Sequence, residues 1–600
     1  MDRILNKEIL PGLGILLLFI FTISIYWPGL SGPLMLDDVP NLSPINALET
    51  GKTNWREVFE NSGGLDGRPV AILSFIANWL TTGSDVWFLK FTNLMIHLLC
   101  GGLVFWLTGR LLRQPVTGIE SKAWWIALWV ASVWLLTPIQ VTATLYVIQR
   151  MAQLACLFVL LGLLSYVIGR QNLQNKPGTG IFFILFATVV CWPLATLSKQ
   201  NGILLPLLAF VIEIYFFPGN SNTKPVDRRI RQILIVLIFL PLIVFTGKIL
   251  TNLEWLVNGY QTRDFSLYER LLTQPRILFD YIANMLLIPG GSGLGLFHDD
   301  FIKSVNLLIP YTTLVSILAW LTLLFVGLIN AGTKTGLIFF GFVFFIAGHA
   351  IESSIFPLEL YFEHRNYLPG VGIFISTGIA LFYAMQLVRF KRLMVIIFIL
   401  IPVGYSIITT YRVNIWQSFD DILLASEKAH PDSRRTQAGL AIINIYRGDL
   451  EKTAYHLERA DNLDSHMRTS GIAIKYAIAY CFVYADIPES VYQRIEQLKT
   501  ITDDTYTVGV LNWFTGLVED GECKNINISR IIDILHKKID KLDDPGDRNS
   551  NWRLYYLMAR LFAFQENWAL ALSYLEKIIK LKPAYQNVKT LAREYRSKLE

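Results

Sequence analysis

The chain has few charged residues for its length: only 17% of its 600 residues are Asp, Glu, Lys or Arg, whereas soluble proteins carry about 25%. Five cysteines are too few for a disulfide-stapled scaffold. The sequence contains no Walker loop, no dinucleotide-binding glycine motif and no zinc-ligand spacing. A net charge of +6 gives no general signal for nucleic acid. These absences exclude a soluble globular class and leave no place for cytosolic nucleotide chemistry.

Long apolar runs fill the first two thirds of the chain, and 53% of all residues are hydrophobic. A helix needs about 17–25 apolar residues to cross a bilayer. About eleven runs approach or reach that length, at residues 10–27, 88–108, 123–137, 146–167, 181–197, 203–217, 230–250, 308–330, 337–350, 369–388 and 393–410. The sequence therefore predicts an all-α fold in which residues 1–411 form a polytopic membrane helix bundle. A shorter run at 277–289 contains Asp280, so we expect it to be re-entrant or interfacial.

Basic residues in the short loops predict the orientation, because Lys and Arg resist translocation. A cytoplasmic N-terminus places six groups of them on the cytoplasmic side: Arg3 and Lys7; Arg110, Arg113 and Lys122; Arg170 and Lys176; Lys224, Arg228, Arg229 and Arg231; Lys334; and Arg389, Lys391 and Arg392. An odd number of spans then puts the C-terminal region in the periplasm, with a bacterial inner membrane as the expected location. Three larger loops share the outer side: the first large loop (28–87), the second (251–307) and the third (351–368).

Residues 412–600 are charged and helix-rich, unlike the rest of the chain. Residues 551–583 fit one tetratricopeptide unit, and residues 438–463 resemble a weaker one. The sequence thus predicts a C-terminal tetratricopeptide-like α-solenoid outside the cytoplasm, and such solenoids present a concave surface to a partner. Cys481 and Cys523 both fall in this region. A disulfide is permitted there, and two unpaired core cysteines explain the pattern equally well.

An acidic pair, Asp37 and Asp38, follows the first span in the sequence GLSGPLMLDDVPNLSPI. Adjacent carboxylates suit a general base with an orienting neighbour, and they could also hold a divalent metal. A solvated turn, or a helix cap at Asn41, is the plainer interpretation. We favour Asp38 slightly as the base, because the turn at Pro40 would aim it back at the membrane face. We expect no obligatory cofactor and do not favour a metal.

Other polar residues of the outer side are mostly cationic. Four of them are candidate ligands for a donor phosphate: Arg68, Arg150, Lys199 and Arg365. Four more could line an acceptor or donor pocket: Glu363, His364, Tyr367 and His298. Each cation alone is typical of a snorkelling interface anchor. Several cations converging beside an acidic pair would form a site for an anionic, membrane-borne substrate such as a lipid-linked phosphosugar.

The order of these motifs resembles a known family. It comprises the Asp-Asp loop, GRPV…SF..N, FTNLMIHLL, LLTPIQVTATLYVIQR, SKQNG, E.RNYLPG..I and the C-terminal repeats. The chain resembles the transmembrane and tetratricopeptide-repeat-containing O-mannosyltransferases and their bacterial relatives, of the C-type glycosyltransferase superfamily. The resemblance implies that fold, with Asp37 and Asp38 in the catalytic base region. It also implies a polyprenyl-phosphate sugar as donor and a Ser or Thr hydroxyl of a secreted or envelope protein as acceptor.

The resemblance further implies a mechanism. An aspartate of the pair would take the acceptor's proton, and Arg365, Lys199 and Arg150 would stabilise the leaving polyprenyl phosphate. Two positions depart from the family pattern: Gln140 stands where relatives carry His or an acidic residue, and Asn366 occupies an aromatic or aliphatic position. Neither departure removes a base or a phosphate ligand, and we expect both to alter the choice of sugar.

Two other functions fit the same sequence. An oligosaccharide ligase or glycan polymerase would depend on basic and His residues of the late outer loops, here Arg263, His298 and Arg365. A non-enzymatic, membrane-anchored repeat scaffold for envelope assembly would tolerate the loss of both Asp37 and Asp38. Loss of the acidic pair therefore separates the transferase from both alternatives, and loss of the late-loop residues separates the ligase from the scaffold.

Overall fold

A computed structural model shows helices and no strand in the residues that it describes. Those residues are 2–49, 54–55, 58, 67–218, 225–251, 256–257, 259–260, 263–287, 294–387, 391–463, 469–482, 487–498, 501, 505–524, 526–540, 551–581 and 586–599. The predicted basic-loop residues Lys224 and Arg389 lie outside this set, as do residues 288–289 and 388 at the ends of two predicted runs. The predicted all-α fold is thereby confirmed for the described part of the chain.

The chain divides into two compact units, Met1–Ala425 and Ser426–Glu600. The helices of the first unit are Asp2–Tyr26, Asp38–Glu49, Pro69–Thr82, Val86–Leu112, Ala123–Leu136, Gln140–Leu145, Arg150–Asn172, Pro177–Leu185, Trp192–Ser198, Leu205–Phe216, Pro225–Thr251, Leu267–Leu286, Thr312–Ile329, Lys334–Gly348, Gly370–Leu387 and Lys391–Ile415. The predicted boundary at residue 411 falls inside the helix Lys391–Ile415, and the helix Phe419–Ala429 contains the observed boundary.

In the part of the chain that the structure describes, seven helices are long and apolar enough to cross a membrane: Leu10–Ser31, Val86–Leu112, Val147–Asn172, Pro177–Ser198, Thr312–Ile329, Gly370–Leu387 and Lys391–Ile415. Each coincides with a predicted run. The predicted runs at 123–137, 203–217 and 337–350 form helices of 14, 12 and 15 residues. Such helices are only about 18–23 Å long, shorter than a hydrocarbon core of about 30 Å. The structure thus supports several apolar helices, and the count of eleven spans stays a prediction.

Three neighbouring helices of the first unit hold many of its buried residues. Val86–Leu112 packs against both Ala123–Leu136 and Arg150–Asn172, and Trp134 at the end of the second is fully buried. The sequence explains where the first of these helices begins, because the Asp85 side chain accepts a hydrogen bond from the Trp87 amide. Residues 138–149 connect the second of these helices to the third.

The run predicted to be interfacial belongs to a longer helix, Leu267–Leu286. A capping box begins it, in which Ser266 and Glu269 satisfy each other's backbone amides. One face is buried, while Tyr268 and Leu271 are exposed. This helix lies against the third large loop, as the hydrogen bonds described below show.

The second unit consists of the helices Arg434–Tyr446, Leu450–Asn462, Thr469–Phe482, Glu489–Glu496, Thr505–Glu519, Ile528–Ile539, Trp552–Phe564, Trp568–Leu581 and Gln586–Ser597. Consecutive helices pack in pairs, for example Arg434–Tyr446 with Leu450–Asn462. A disulfide joins Cys481 to Cys523, which resolves the alternative left open by the sequence. It ties the helix Thr469–Phe482 to the chain just after Thr505–Glu519.

We predict that the double substitution Cys481→Ser and Cys523→Ser destabilises the second unit by about 2–4 kcal/mol, because the disulfide closes a long loop in the unfolded chain. Limited proteolysis of the purified protein should cut this unit faster in the variant. Cys191→Ser is the control, since Cys191 is a free cysteine of the first unit. Alkylation of Cys481 and Cys523 without prior reduction would contradict the pairing.

Candidate active site

One buried stretch of chain contacts most of the predicted site residues. Residues 138–151, here called the central segment, are all buried. They form the short helix Gln140–Leu145, a single turn Val147–Gln149 and the start of the helix Arg150–Asn172. Val147 and Ile148 begin the turn that leads into the helix Arg150–Asn172. Because the first amides of a helix have no partner within it, these two amides can pair with a side chain.

The Asp38 carboxylate accepts hydrogen bonds from those two amides. Its Oδ1 accepts a hydrogen bond from the Ile148 amide at 2.6 Å, and its Oδ2 accepts from the amides of Met35 at 2.8 Å and Val147 at 3.4 Å. The side chain is fully buried. Burial raises the pKa of the Asp38 carboxyl to about 7, although these amides and the Lys90 ammonium act in the opposite direction. Asp38 thus fastens the first large loop to the central segment.

Asp37 faces the other way and is exposed. Its amide donates to the Tyr146 hydroxyl at 3.0 Å, and its carbonyl accepts from the Asn41 side-chain amide at 2.7 Å. Leu36, just before it, has a φ of 30°, which is unfavourable for a residue with a side chain. This turn separates the two carboxylates, one buried on backbone amides and the other open to an incoming group.

Arg150 is fully buried and bonded within the protein. Its Nε donates to Asn93 Oδ1 at 2.8 Å, and its Nη2 donates to Asn78 Oδ1 at 2.9 Å and to the Leu89 carbonyl at 2.8 Å. The guanidinium also lies 4.2 Å from the centre of the Phe75 ring. The predicted phosphate role of Arg150 finds no support in this arrangement, because the side chain instead joins three helices.

The other three predicted phosphate ligands lie together. Lys199 forms a buried ion pair with Glu352 at 2.6 Å. Burial lowers the pKa of the Lys199 ammonium, Glu352 opposes that effect, and Arg68 and Arg365 add to it. Arg68 also donates to Gln200 Oε1 at 3.1 Å and to Met151 Sδ at 2.8 Å. We call Arg68, Lys199 and Arg365 the cation cluster; it adjoins the end of the central segment.

Glu352 is the carboxylate that balances part of this charge. Burial alone would raise its pKa, but Lys199 and Arg365 outweigh it and hold the pKa at about 2. His364, half-buried and stacked on Phe362 with ring centres 5.1 Å apart, has its pKa lowered by burial and by Lys199. Among the described residues, the three cations of the cluster thus lie near one carboxylate, Glu352, and this arrangement favours an anionic ligand.

Arg270 positions the third large loop. It is fully buried and donates to the carbonyls of Glu352 at 2.5 Å, Ser354 at 2.9 Å and Leu358 at 2.5 Å. The Phe362 amide donates a hydrogen bond to the hydroxyl of Tyr281 at 2.8 Å, and Tyr281 belongs to the same helix as Arg270. The amphipathic helix Leu267–Leu286 thereby fixes the backbone that bears Glu352 and Arg365.

Glu363 forms a second buried ionic group. Its Oε2 accepts from Arg412 at 2.5 Å and from the Thr142 hydroxyl at 3.2 Å, and its Oε1 lies 3.2 Å from His298 Nε2. Burial would raise the Glu363 pKa, but Arg412 and His298 lower it below its ordinary range. His298 stacks on Tyr361 with ring centres 4.1 Å apart. This group adjoins the central segment at Thr142.

Tyr367 does not join these groups. Its hydroxyl bonds to His97 Nδ1 at 2.8 Å, and its carbonyl accepts from Trp134 Nε1 at 3.1 Å. His97 Nε2 lies 3.1 Å from the Leu135 carbonyl. Tyr367 is thus a packing residue of the helix bundle.

The central segment brings three groups together: Glu363 with His298 at Thr142, the acidic pair at residues 146–148, and Arg68 at Met151. The backbone from Tyr146 to Met151 is only roughly 8–10 Å long. Among the described residues, no three His, Cys, Asp or Glu side chains converge to hold a metal ion.

Sequence reasoning did not single out Lys90, Arg270 and Arg412. Lys90 lies within a predicted span, where an ionisable residue is costly and is usually functional. That rule could have identified it. Arg270 and Arg412 gave no such signal, because their partners are backbone carbonyls and a distant carboxylate.

We predict that Asp38→Asn destabilises the first unit by about 1–3 kcal/mol. The asparagine side chain has one acceptor oxygen where aspartate has two, so buried backbone N–H groups lose a partner. Asp37→Asn is the matched control and should change stability by less than about 0.5 kcal/mol. Thermal unfolding of the detergent-solubilised variants measures both values. Equal losses for the two substitutions would contradict the assigned roles.

No protein-family model, no curated protein and no solved structure matches this chain. Its function must therefore be argued from its own residues.

Proposed function

We propose that this protein is an integral membrane glycosyltransferase that transfers a sugar from a polyprenyl-phosphate donor to a hydroxyl of a secreted or envelope protein. One observation carries the proposal: the exposed Asp37 and Arg68, a member of the cation cluster, both contact the same short buried segment. A base next to a phosphate-binding site is what this reaction needs.

The reaction has one bond to form and one to break. The acceptor hydroxyl attacks the anomeric carbon while Asp37 takes its proton, and the bond from that carbon to the phosphate oxygen breaks. The electron pair leaves with the polyprenyl phosphate, whose charge the cation cluster stabilises. The exposure of Asp37 supports its role as the base. Asp38, which the sequence slightly favoured, has both oxygens engaged by backbone amides.

The donor phosphate would bind at Arg68, Lys199 and Arg365. Charged N–H groups are the strongest phosphate ligands in proteins. Arg365 donates to the Leu360 carbonyl at 3.0 Å and lies 5.4 Å from the centre of the Phe362 ring, so its guanidinium is held in place before substrate arrives. Preorganised donors of this kind stabilise a leaving group without reorganisation.

The membrane setting fits this donor. The seven apolar helices are compatible with a multi-pass membrane protein, and a polyprenyl chain needs a lipid phase. The pattern of basic loops supports a cytoplasmic N-terminus and places the large loops on the outer side, as in a bacterial inner membrane. The disulfide Cys481–Cys523 supports an oxidising compartment for the second unit.

The second unit would bind the acceptor protein. Its helices pack in consecutive pairs, as in Trp552–Phe564 with Trp568–Leu581. Met558, Ala559 and Phe562 are buried on the first helix of that pair, and Ala571 and Leu575 are buried on the second. A tetratricopeptide-like solenoid is consistent with this packing, and its surface would present the acceptor to the membrane unit.

The ligase or polymerase alternative is favoured by one observation. His298 lies 3.2 Å from Glu363, whose other oxygen bonds to Arg412, so a carboxylate orients a histidine in the late loops. A histidine held in this way can serve as a base. Substitution of His298 therefore separates this alternative from the proposed function.

We predict that Asp37→Asn inserts and melts like the wild type but transfers sugar roughly 10²–10⁴ times more slowly, because it removes the base. The assay follows transfer from a polyprenyl-phosphate sugar to an acceptor protein in proteoliposomes. Asp264→Asn is the control, since Asp264 pairs with Lys303 at 3.4 Å on the second large loop, and it should retain activity.

Near wild-type transfer by the Asp37→Asn and Asp38→Asn double variant would overturn this proposal. Loss of transfer in His298→Ala alone would then favour the ligase, and retention in all variants would favour the scaffold.

We predict that the donor KM rises roughly 10- to 100-fold in Arg365→Gln, which corresponds to the loss of a charged hydrogen bond. The double variant Lys199→Gln and Glu352→Gln should show a similar rise in donor KM. It should fold normally, because it removes both members of the buried ion pair. Arg113→Gln, an exposed residue on the predicted cytoplasmic side, serves as the control. An unchanged donor KM in both variants would assign the phosphate to other residues.

A further inference from the structure

Four groups from three separate parts of the chain converge on the buried Glu363 carboxylate. Its Oε1 accepts a hydrogen bond from the Gly295 amide at 3.1 Å and lies 3.2 Å from His298 Nε2. Its Oε2 accepts from the Thr142 hydroxyl at 3.2 Å and from Arg412 at 2.5 Å. The carboxylate therefore joins the third large loop to the second large loop, to the central segment and to the last apolar helix.

Arg412 is the cation of this group. It lies in the last turn of the helix Lys391–Ile415, and its side chain is buried. Its Nη1 donates to the Pro138 carbonyl at 2.8 Å, while its Nη2 donates to Glu363. A buried ion pair is stable only when further hydrogen bonds satisfy its atoms, and removal of one partner leaves a costly uncompensated charge. Both members of this pair have such further bonds, so the pair is a fixed connection.

Glu363 begins the short turn that carries Arg365, which spans Glu363–Asn366. The Arg365 guanidinium donates to the Leu360 carbonyl at 3.0 Å and lies 5.4 Å from the centre of the Phe362 ring. Both partners belong to the same loop as Arg365. Contacts of this kind set the shape of the loop and do not set its place in the molecule. The place of Arg365 therefore depends on what anchors the loop.

The loop has two anchors close to Arg365. On one side the Phe362 amide donates to the Tyr281 hydroxyl at 2.8 Å. On the other side the Glu363 side chain attaches the turn to the central segment through the Thr142 hydroxyl. Arg68, another member of the cation cluster, contacts the end of the same segment. The Glu363 anchor thus joins the turn of Arg365 to the segment that Arg68 contacts.

We propose that Glu363 and Arg412 are positioning residues for the donor phosphate: their ion pair fastens the turn that bears Arg365 to the central segment, so that Arg365 and Arg68 meet the phosphate together. The role of Arg365 toward the donor rests on the proposed function. The attachment of the turn does not, and it is tested without substrate.

Hydrogen–deuterium exchange of the full-length protein tests the attachment. The amides of Arg365 and Tyr367 each donate to the carbonyl three residues earlier, at 3.3 Å. Peptides that cover residues 363–368 should exchange slowly in the wild type, because these amides open only when the turn detaches. Glu363→Gln should speed their exchange roughly 10- to 100-fold, as expected for the loss of a charged hydrogen bond. Equal exchange in the variant and the wild type would overturn the proposal.

Glu359→Gln is the matched control. Glu359 belongs to the same loop and also pairs with an arginine, Arg263, at 2.5 Å. This substitution removes a carboxylate of the same kind without touching the Glu363 anchor. It should leave the exchange of residues 363–368 and the donor KM unchanged.

The transfer assay asks whether Glu363 acts through Arg365. Glu363→Gln should raise the donor KM roughly 10- to 100-fold, as expected for Arg365→Gln. The double variant should show the KM of Arg365→Gln and no more, because a positioning residue has no effect once the residue that it positions is gone. A residue that only stabilises the fold would not show this dependence. Multiplied effects in the double variant would overturn the proposal.

Two other results of this assay would also overturn it. An unchanged donor KM in Glu363→Gln would show that the anchor does not position Arg365. A lower kcat with an unchanged KM would assign Glu363 to the orientation of His298 instead. No transfer by the wild type would overturn the proposed function and leave the exchange test of the anchor intact.

Glu363→Gln leaves the buried Arg412 without its counter-charge. If this variant does not fold, the double variant Glu363→Met and Arg412→Met replaces it, because it removes both buried charges. That variant should fold, exchange rapidly at residues 363–368 and show the raised donor KM. Normal exchange or a normal KM in it would overturn the proposal. Failure of both variants to fold would do the same, since the pair would then serve the fold as a whole.

Discussion

The buried carboxylate of Asp38 holds the candidate site together. It accepts three backbone amides, from Met35 on its own loop and from Val147 and Ile148 on the central segment. A carboxylate in such a place is expensive unless amides and a counter-charge compensate for its lost hydration. The structure supplies three amides and the nearby Lys90 ammonium. The same contacts fix the position of the exposed Asp37. One interaction therefore links the first loop of the chain to residues more than a hundred positions away.

The central segment extends this arrangement to the rest of the site. It is irregular, with a short helix and a single turn, so it offers backbone groups that a long helix would use internally. Irregular backbone that is buried in a protein is tolerated only when other protein groups satisfy its hydrogen bonds. Asp38 does so at Val147 and Ile148, and Arg412 does so at the Pro138 carbonyl, 2.8 Å away. Polar groups that satisfy the backbone thereby become neighbours of the exposed Asp37 and of Arg68 in the cation cluster.

The sequence carried the fold class and the positions of the apolar helices, because hydropathy and helix length follow directly from composition along the chain. It also singled out the acidic pair and the cations Arg68, Lys199 and Arg365, whose roles stay predictions. It did not separate Asp37 from Asp38, since their different burial depends on amides of a distant segment. It placed Arg150 and Tyr367 in the site because both lie near span ends. In the structure they instead bond to Asn93 and His97, which lie on a neighbouring helix. Pairings between helices are invisible to local patterns.

Hydrogen–deuterium exchange of the amides of Val147 and Ile148 tests the central claim most directly, because it observes the attachment of the first large loop without requiring catalysis. In the wild type, peptides that cover residues 146–149 should exchange slowly, and Asp38→Asn should speed their exchange while Asp37→Asn leaves it unchanged. Rapid exchange of these amides in the wild type, or protection that survives Asp38→Asn, would contradict the account.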